Sequence, residues 1–226
     1  MVLEAESDKI PFFKQYFSVI ILAANIIVFI WQILDPAMQM HIEYAFVPAE
    51  FFAGQKLWTI LTSMFMHGDI VHIIMNMWFF IIITDNCEHA LGHFYYLITY
   101  LVAGICGTLL HALSALLLID LYPILVDIPS LGASGAIFGV MFIAGAIAGW
   151  EQVPVILIPI LNIITLPFIF FTFKNIKVPL FVAILFYLIL ELIMLFMNLP
   201  MSIGEIAHFG GFLGGIMGTL LIIPKK

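Results

Sequence analysis

The chain contains no arginine. Its seven cations are all lysines, set against 14 aspartates and glutamates, for a net charge of −7 over 226 residues. A phosphate backbone would find no basic patch to contact, so nucleic-acid binding is excluded as a main activity. Charge of either sign is scarce: charged residues make up 9% of the chain, where soluble domains carry about a quarter. Cysteine is scarcer still. Cys87 and Cys106 lie near or inside apolar runs, which favours buried free thiols over a disulfide framework. No HEXXH occurs, and no carboxylate stands at ligand spacing from His67, His72 and His208, so neither a metal nor another cofactor is expected. The first apolar run is not followed by a cleavage site and is preceded by the acidic stretch MVLEAESDKIPFFKQYF. A signal peptide is therefore not expected, and that run reads as a retained span.

Apolar residues, by contrast, are abundant, at 64%. Several runs reach the ~18–20 residues needed to cross a bilayer. The expected fold is an all-α polytopic membrane protein, a single domain over residues 1–226. Six spans are predicted, at Tyr16–Leu34, Ile70–Thr84, Phe94–Ile119, Ser134–Trp150, Pro179–Leu199 and Ile206–Ile223. Lys9, Lys14, Lys174, Lys177, Lys225 and Lys226 fall on one side of this scheme, and only Lys56 on the other. Lysine marks the cytoplasmic side, so residues 1–15 and the C-terminus are expected in the cytoplasm, with the plasma membrane of a prokaryote as the expected location. The segment from Val153 to Phe173 is long enough to cross but carries Pro154, Pro159 and Pro167. Proline breaks or kinks helices, and a crossing would move the later lysines outside. An interfacial or re-entrant segment on the cytoplasmic side is predicted for 153–173.

Three polar clusters interrupt the apolar background. In FMHGDIVHIIMN (Phe65–Asn76), His72 and Asn76 are four apart and share a helix face, with His67 just before them. GASG surrounds Ser134. EIAHFGGFLGG (Glu205–Gly215) places His208 one turn into the last span. By the alternation of spans, all three clusters reach a similar depth near the outer face. Ionisable groups at such positions normally face the bundle interior or a water-filled cavity. Together they suit acyl transfer: a serine needs a base, usually histidine, and the tetrahedral intermediate needs donors at its oxyanion. Asn76, one nitrogen of His72 and the Ser134 amide at a helix start are candidate donors. Gly132 permits an unusual turn before that helix. Gly135/Gly139 and Gly211/Gly215 form small-xxx-small pairs that let two helices approach closely, bringing His208 toward Ser134.

At these residues the sequence resembles the rhomboid family of intramembrane serine proteases. The matching stretches are LWTILTSMFMHGDIVHIIMNM (Leu57–Met77), GASGAIFG (Gly132–Gly139) and AHFGGFLGG (Ala207–Gly215), with Glu88 and Gly92 resembling the loop after the second span. The resemblance implies a six-helix core that cleaves transmembrane protein substrates in the bilayer near its outer face. It implies Ser134 as nucleophile, His208 as base with no third acidic member, and His72 and Asn76 lining the oxyanion hole. Water would enter through a polar cavity open to the outside. The sequence departs from the family at Thr59, which follows Trp58 where arginine is frequent, and at Phe138, where tyrosine is frequent. Phe138 keeps a ring that can stack on His208. His67 reads equally as a structural hydrogen-bonding group or a support of the site.

His41, His89, His93 and His111 read as packing or interfacial residues. Glu191, in the middle of the fifth span, reads first as a neutral carboxyl bonded to a neighbouring helix and second as a polar lining near a substrate entry. A binding-only relative would lack Ser134 or His208, and both are present. A transporter would spread charge through the bilayer depth, and only Glu191 lies deep. The sequence does not specify an oligomeric state.

Overall fold

A computed structural model describes residues 11–148 apart from 36, 85 and 86, together with 152–154, 177–198 and 203–222. It is mostly helical. The described helices are α1 (Tyr16–Ile33), α2 (Gln39–Tyr44), α3 (Pro48–Phe52), α4 (Thr59–Thr62), α5 (Ile70–Thr84), α6 (Cys87–Leu91), α7 (His93–Leu117), α8 (Ser134–Ala148), α9 (Leu180–Asn198) and α10 (Ile203–Ile222).

Among the described residues, three helices are long and apolar enough to cross a membrane: Tyr16–Ile33, His93–Leu117 and Leu180–Met197. A fourth candidate is bent, with Thr59–Phe65 and Ile70–Ile81 meeting at 89°. Of the six expected spans, the described residues thus show three outright and a fourth as a bent pair. α5 and α8 are short, with 15 residues each, about 22 Å at 1.5 Å per residue, against roughly 30 Å of hydrocarbon. Both start at the polar clusters. Of the expected re-entrant segment 153–173, only Val153 and Pro154 are among the described residues. They lie in β1 (Gln152–Pro154), which pairs antiparallel with β2 (Lys177–Pro179), Gln152 opposite Pro179. α8 therefore ends and α9 begins on the same side of the bundle.

The helices are inverted relative to those of a soluble protein. On α1 the buried stripe is Ser18, Ile21, Asn25, Phe29 and Gln32, while Ile20, Ile27, Trp31 and Ile33 are exposed. Exposed aliphatic faces of this extent belong against lipid. α8 is the centre of the core. Gly135 to Met141 are buried without interruption, and a helix that is apolar all round is an interior helix. Phe80 from α5 and Tyr96 and Tyr100 from α7 join it there.

α1 has no side-chain cap of its own at Gln15. Glu88 on α6 supplies one, accepting from the Phe17 and Ser18 amides at 2.9 and 2.7 Å and pairing with His93. Burial favours the neutral acid, but these donors outweigh it and hold the Glu88 carboxyl below its usual range.

Candidate active site

Ser134 is the first residue of α8, so its backbone amide belongs to the unpaired N–H groups of a helix N-terminus. The turn before it is fixed at two points. Gly132 N–H donates to Ser63 O at 2.9 Å, and Ser130 forms an antiparallel bridge with Phe46 of the first loop. Gly132 has φ +133°, a conformation that side chains rarely adopt. The space also requires glycine. A Cβ there would stand 3.1 Å from Cε1 and Nε2 of His72 and 3.6 Å from Ser134 Oγ. His72 and the Ser134 hydroxyl thus meet over one glycine.

His72 sits in the first turn of α5. Asp69 caps that turn, Oδ1 accepting from the His72 amide at 2.8 Å. The Gly68 amide donates to His72 Nδ1 at 3.2 Å. Because Nδ1 is an acceptor, the neutral ring carries its proton on Nε2, the nitrogen beside Gly132. Asn76 Nδ2 donates to His72 O at 3.0 Å, which leaves its second amide hydrogen for another acceptor. His67, fully buried, does not hydrogen-bond through its ring among the described residues. Its ring packs edge-on against His72, with centroids 5.1 Å apart, while its backbone is gripped by the Gln32 side chain through two 3.0 Å bonds.

His208 lies on α10, whose glycines press it into the core. A Cβ on Gly211 would fall 1.8 Å from Gly135 O, and one on Gly215 would fall 2.4 Å from Gly139 O. α8 and α10 are therefore in backbone contact. One turn beyond Ser134, the Phe138 ring stacks on His208, with centroids 4.3 Å apart and planes 8° from parallel. His208 and Ser134 occupy adjacent turns of touching helices, and no hydrogen bond joins their side chains. A cavity of about 40 Å³ lies beside Ser134, lined among others by Ser63, Thr108, Ser130 and Ser134 itself. Its size and polarity suit a few water molecules.

Three features of the site were not read from the sequence. Glu191 Oε2 lies 2.8 Å from His208 Nδ1. The resemblance implies no acidic partner, and a span-five residue gives no sequence cue to which helix it meets. A second glycine stripe, Gly210 and Gly214, packs α10 against α7 at Cys106 O and Ala103 Cα, both 2.7 Å from an added Cβ. Its spacing of four was visible in GGFLGG. The first loop, lacking arginine after Trp58, is held by other groups: Lys56 Nζ donates to Ile42 O and Glu50, Trp58 to Glu43 O and Thr62 to Tyr44 O.

A family model for the Rhomboid domain matches residues 54–225, which is more than half of the chain. The chain is 28% identical to RHOMBOID-like protein 7 of Arabidopsis thaliana over 76% of its own length and 45% of that protein. It is 34% identical to RHOMBOID-like protein 6, mitochondrial, of A. thaliana over 39% of the chain and 25% of that protein. It is 35% identical to Rhomboid-like protease 3 of Toxoplasma gondii over 30% of the chain and 26% of that protein. The chain thus matches less than half the length of each relative. With its apolar helices, it is an integral membrane protein, and it belongs to the rhomboid family.

Proposed function

We propose that the chain is an intramembrane serine endopeptidase that cleaves transmembrane segments of protein substrates near the outer face of the bilayer, with Ser134 as nucleophile and His208 as base. The observation that carries the reading is the convergence over Gly132, where Ser134 Oγ and His72 Nε2 stand together and His208 is stacked one turn away. The six predicted spans, with 153–173 on the cytoplasmic side, give the orientation, termini inward. The proposed location is the plasma membrane of a prokaryote with both termini cytoplasmic, while the relatives quoted are from A. thaliana and T. gondii.

In the proposed reaction Ser134 Oγ attacks the scissile carbonyl carbon while its proton passes to His208 Nε2. The resulting oxyanion accepts from His72 Nε2–H, the Ser134 amide and the free Asn76 hydrogen. His208 then protonates the leaving amine as the C–N bond breaks. Water from the cavity beside Ser134 attacks the acyl-enzyme, its proton going to His208, and Oγ recovers that proton as the ester opens. Only a substrate segment that unwinds exposes its carbonyl, so helix-breaking or small residues near the cleaved bond are favoured. The test is cleavage of a panel of transmembrane segments by purified protein in liposomes. Cleavage is expected to vanish in Ser134→Ala and His208→Ala, and cleavage that survives Ser134→Ala refutes the reading.

A further inference from the structure

We propose that Glu191 is a positioning residue for His208, holding the imidazole so that its outer nitrogen is the base for Ser134. This deepens the protease reading and rests on it.

The starting point is where Glu191 lies. It sits in the apolar helix α9, flanked by exposed Leu192, Ile193 and Met194, yet it is itself buried, with its side chain 10% exposed. A carboxylate at that depth is costly unless it is paired. Its Oε2 is 2.8 Å from His208 Nδ1. In the proposed state Glu191 is ionised and can only accept, which puts the hydrogen on Nδ1 and leaves Nε2 with its lone pair. Nε2 is the nitrogen a serine proton would need. One contact therefore fixes the tautomer.

Orientation is constrained as well. Phe138 covers one face of the His208 ring, with the planes 8° from parallel. Stacking alone leaves the ring free to turn in its own plane, and the Glu191 contact removes that freedom. Glu191 is in turn held by its helix. One turn earlier, Tyr187 stacks on Phe79 at 4.9 Å and leans on Phe138 at 5.5 Å. The aromatic column Phe79–Tyr187–Phe138–His208 and the carboxylate thus meet at one imidazole from α5, α9, α8 and α10. When Nε2 takes the serine proton, the ring becomes an imidazolium facing a carboxylate, which stabilises the charge-separated transition state. Nδ1 keeps its hydrogen throughout, and Glu191 does not change protonation.

The reaction of the 226-residue chain in detergent with a fluorophosphonate separates this role from a merely structural one. The maximal inactivation rate is expected to fall by roughly 10²-fold or more in Glu191→Gln, with the half-saturating probe concentration unchanged. Glu191→Asp is expected to recover part of the rate. Equal maximal rates in wild type and Glu191→Gln overturn the proposal while leaving the protease reading intact. No reaction in the wild type sinks the protease reading itself, and the positioning role with it. Should the variants not fold, nitrogen-15 shifts of His208 in histidine-labelled wild type still decide: the Nδ1–H tautomer is expected, and an Nε2–H tautomer overturns the proposal.

Discussion

The imidazole of His208 has one face against Phe138 and one nitrogen against Glu191, while His72 offers Nε2 beside Gly132. Two histidines thus have different jobs because different neighbours set their tautomers. His72 accepts at Nδ1 from the Gly68 amide and is a donor at Nε2; His208 meets the Glu191 carboxyl at Nδ1, which in the proposed tautomer leaves Nε2 as the acceptor. His72→Ala is expected to lower the maximal cleavage rate by about 10²–10³-fold with little change in thermal stability. Asn76→Ala is expected to cost less, since one of its two amide hydrogens is already spent on His72 O. Gly132→Ala is expected to remove activity altogether, because the new Cβ both displaces the His72 ring and occupies a strained φ. Parallel rate and melting measurements on the three variants distinguish these outcomes.

Helix α10 is set by glycines that differ sharply in what they touch. Gly211 faces Gly135 O with no room for a methyl group, whereas Gly204 at the start of the same helix has nothing within 4 Å of an added Cβ. Gly211→Ala is expected to destabilise by at least 1–3 kcal/mol, about the cost of overpacking. Gly204→Ala is expected to be neutral or slightly stabilising, as helix propensity favours alanine. Thermal unfolding in detergent checks the pair, and equal shifts would contradict the backbone contact. At α1, the Glu88 cap makes stability depend on acid. Its carboxyl titrates lower when folded than when unfolded, so its contribution is present above the unfolded carboxylate range and is lost as pH falls through the folded one. Glu88→Gln is expected to melt earlier at neutral pH, by about 1–3 kcal/mol, and to show a flatter decline on acidification than wild type.

For the molecule as a whole, the element boundaries were legible because each polar cluster coincides with a helix start. Asp69, Ser134 and Glu205 stand at or within one turn of the starts of α5, α8 and α10. The α8–α10 contact was legible too, from the spacing of Gly135, Gly139, Gly211 and Gly215. What could not be read was lateral. Glu191 has one sequence position but several helices within reach, and only the packed bundle selects His208. The same holds for Gln32, whose grip on His67 joins residues 35 apart. The 89° bend before α5 was not legible either, since an apolar run reports composition and not direction. The account as a whole turns on one hydroxyl. Peptide mapping by mass spectrometry after fluorophosphonate treatment measures it directly. The adduct is expected on the peptide containing Ser134, and is expected to be lost in His208→Ala; an adduct on another residue, or full labelling of Ser134→Ala, would contradict the account.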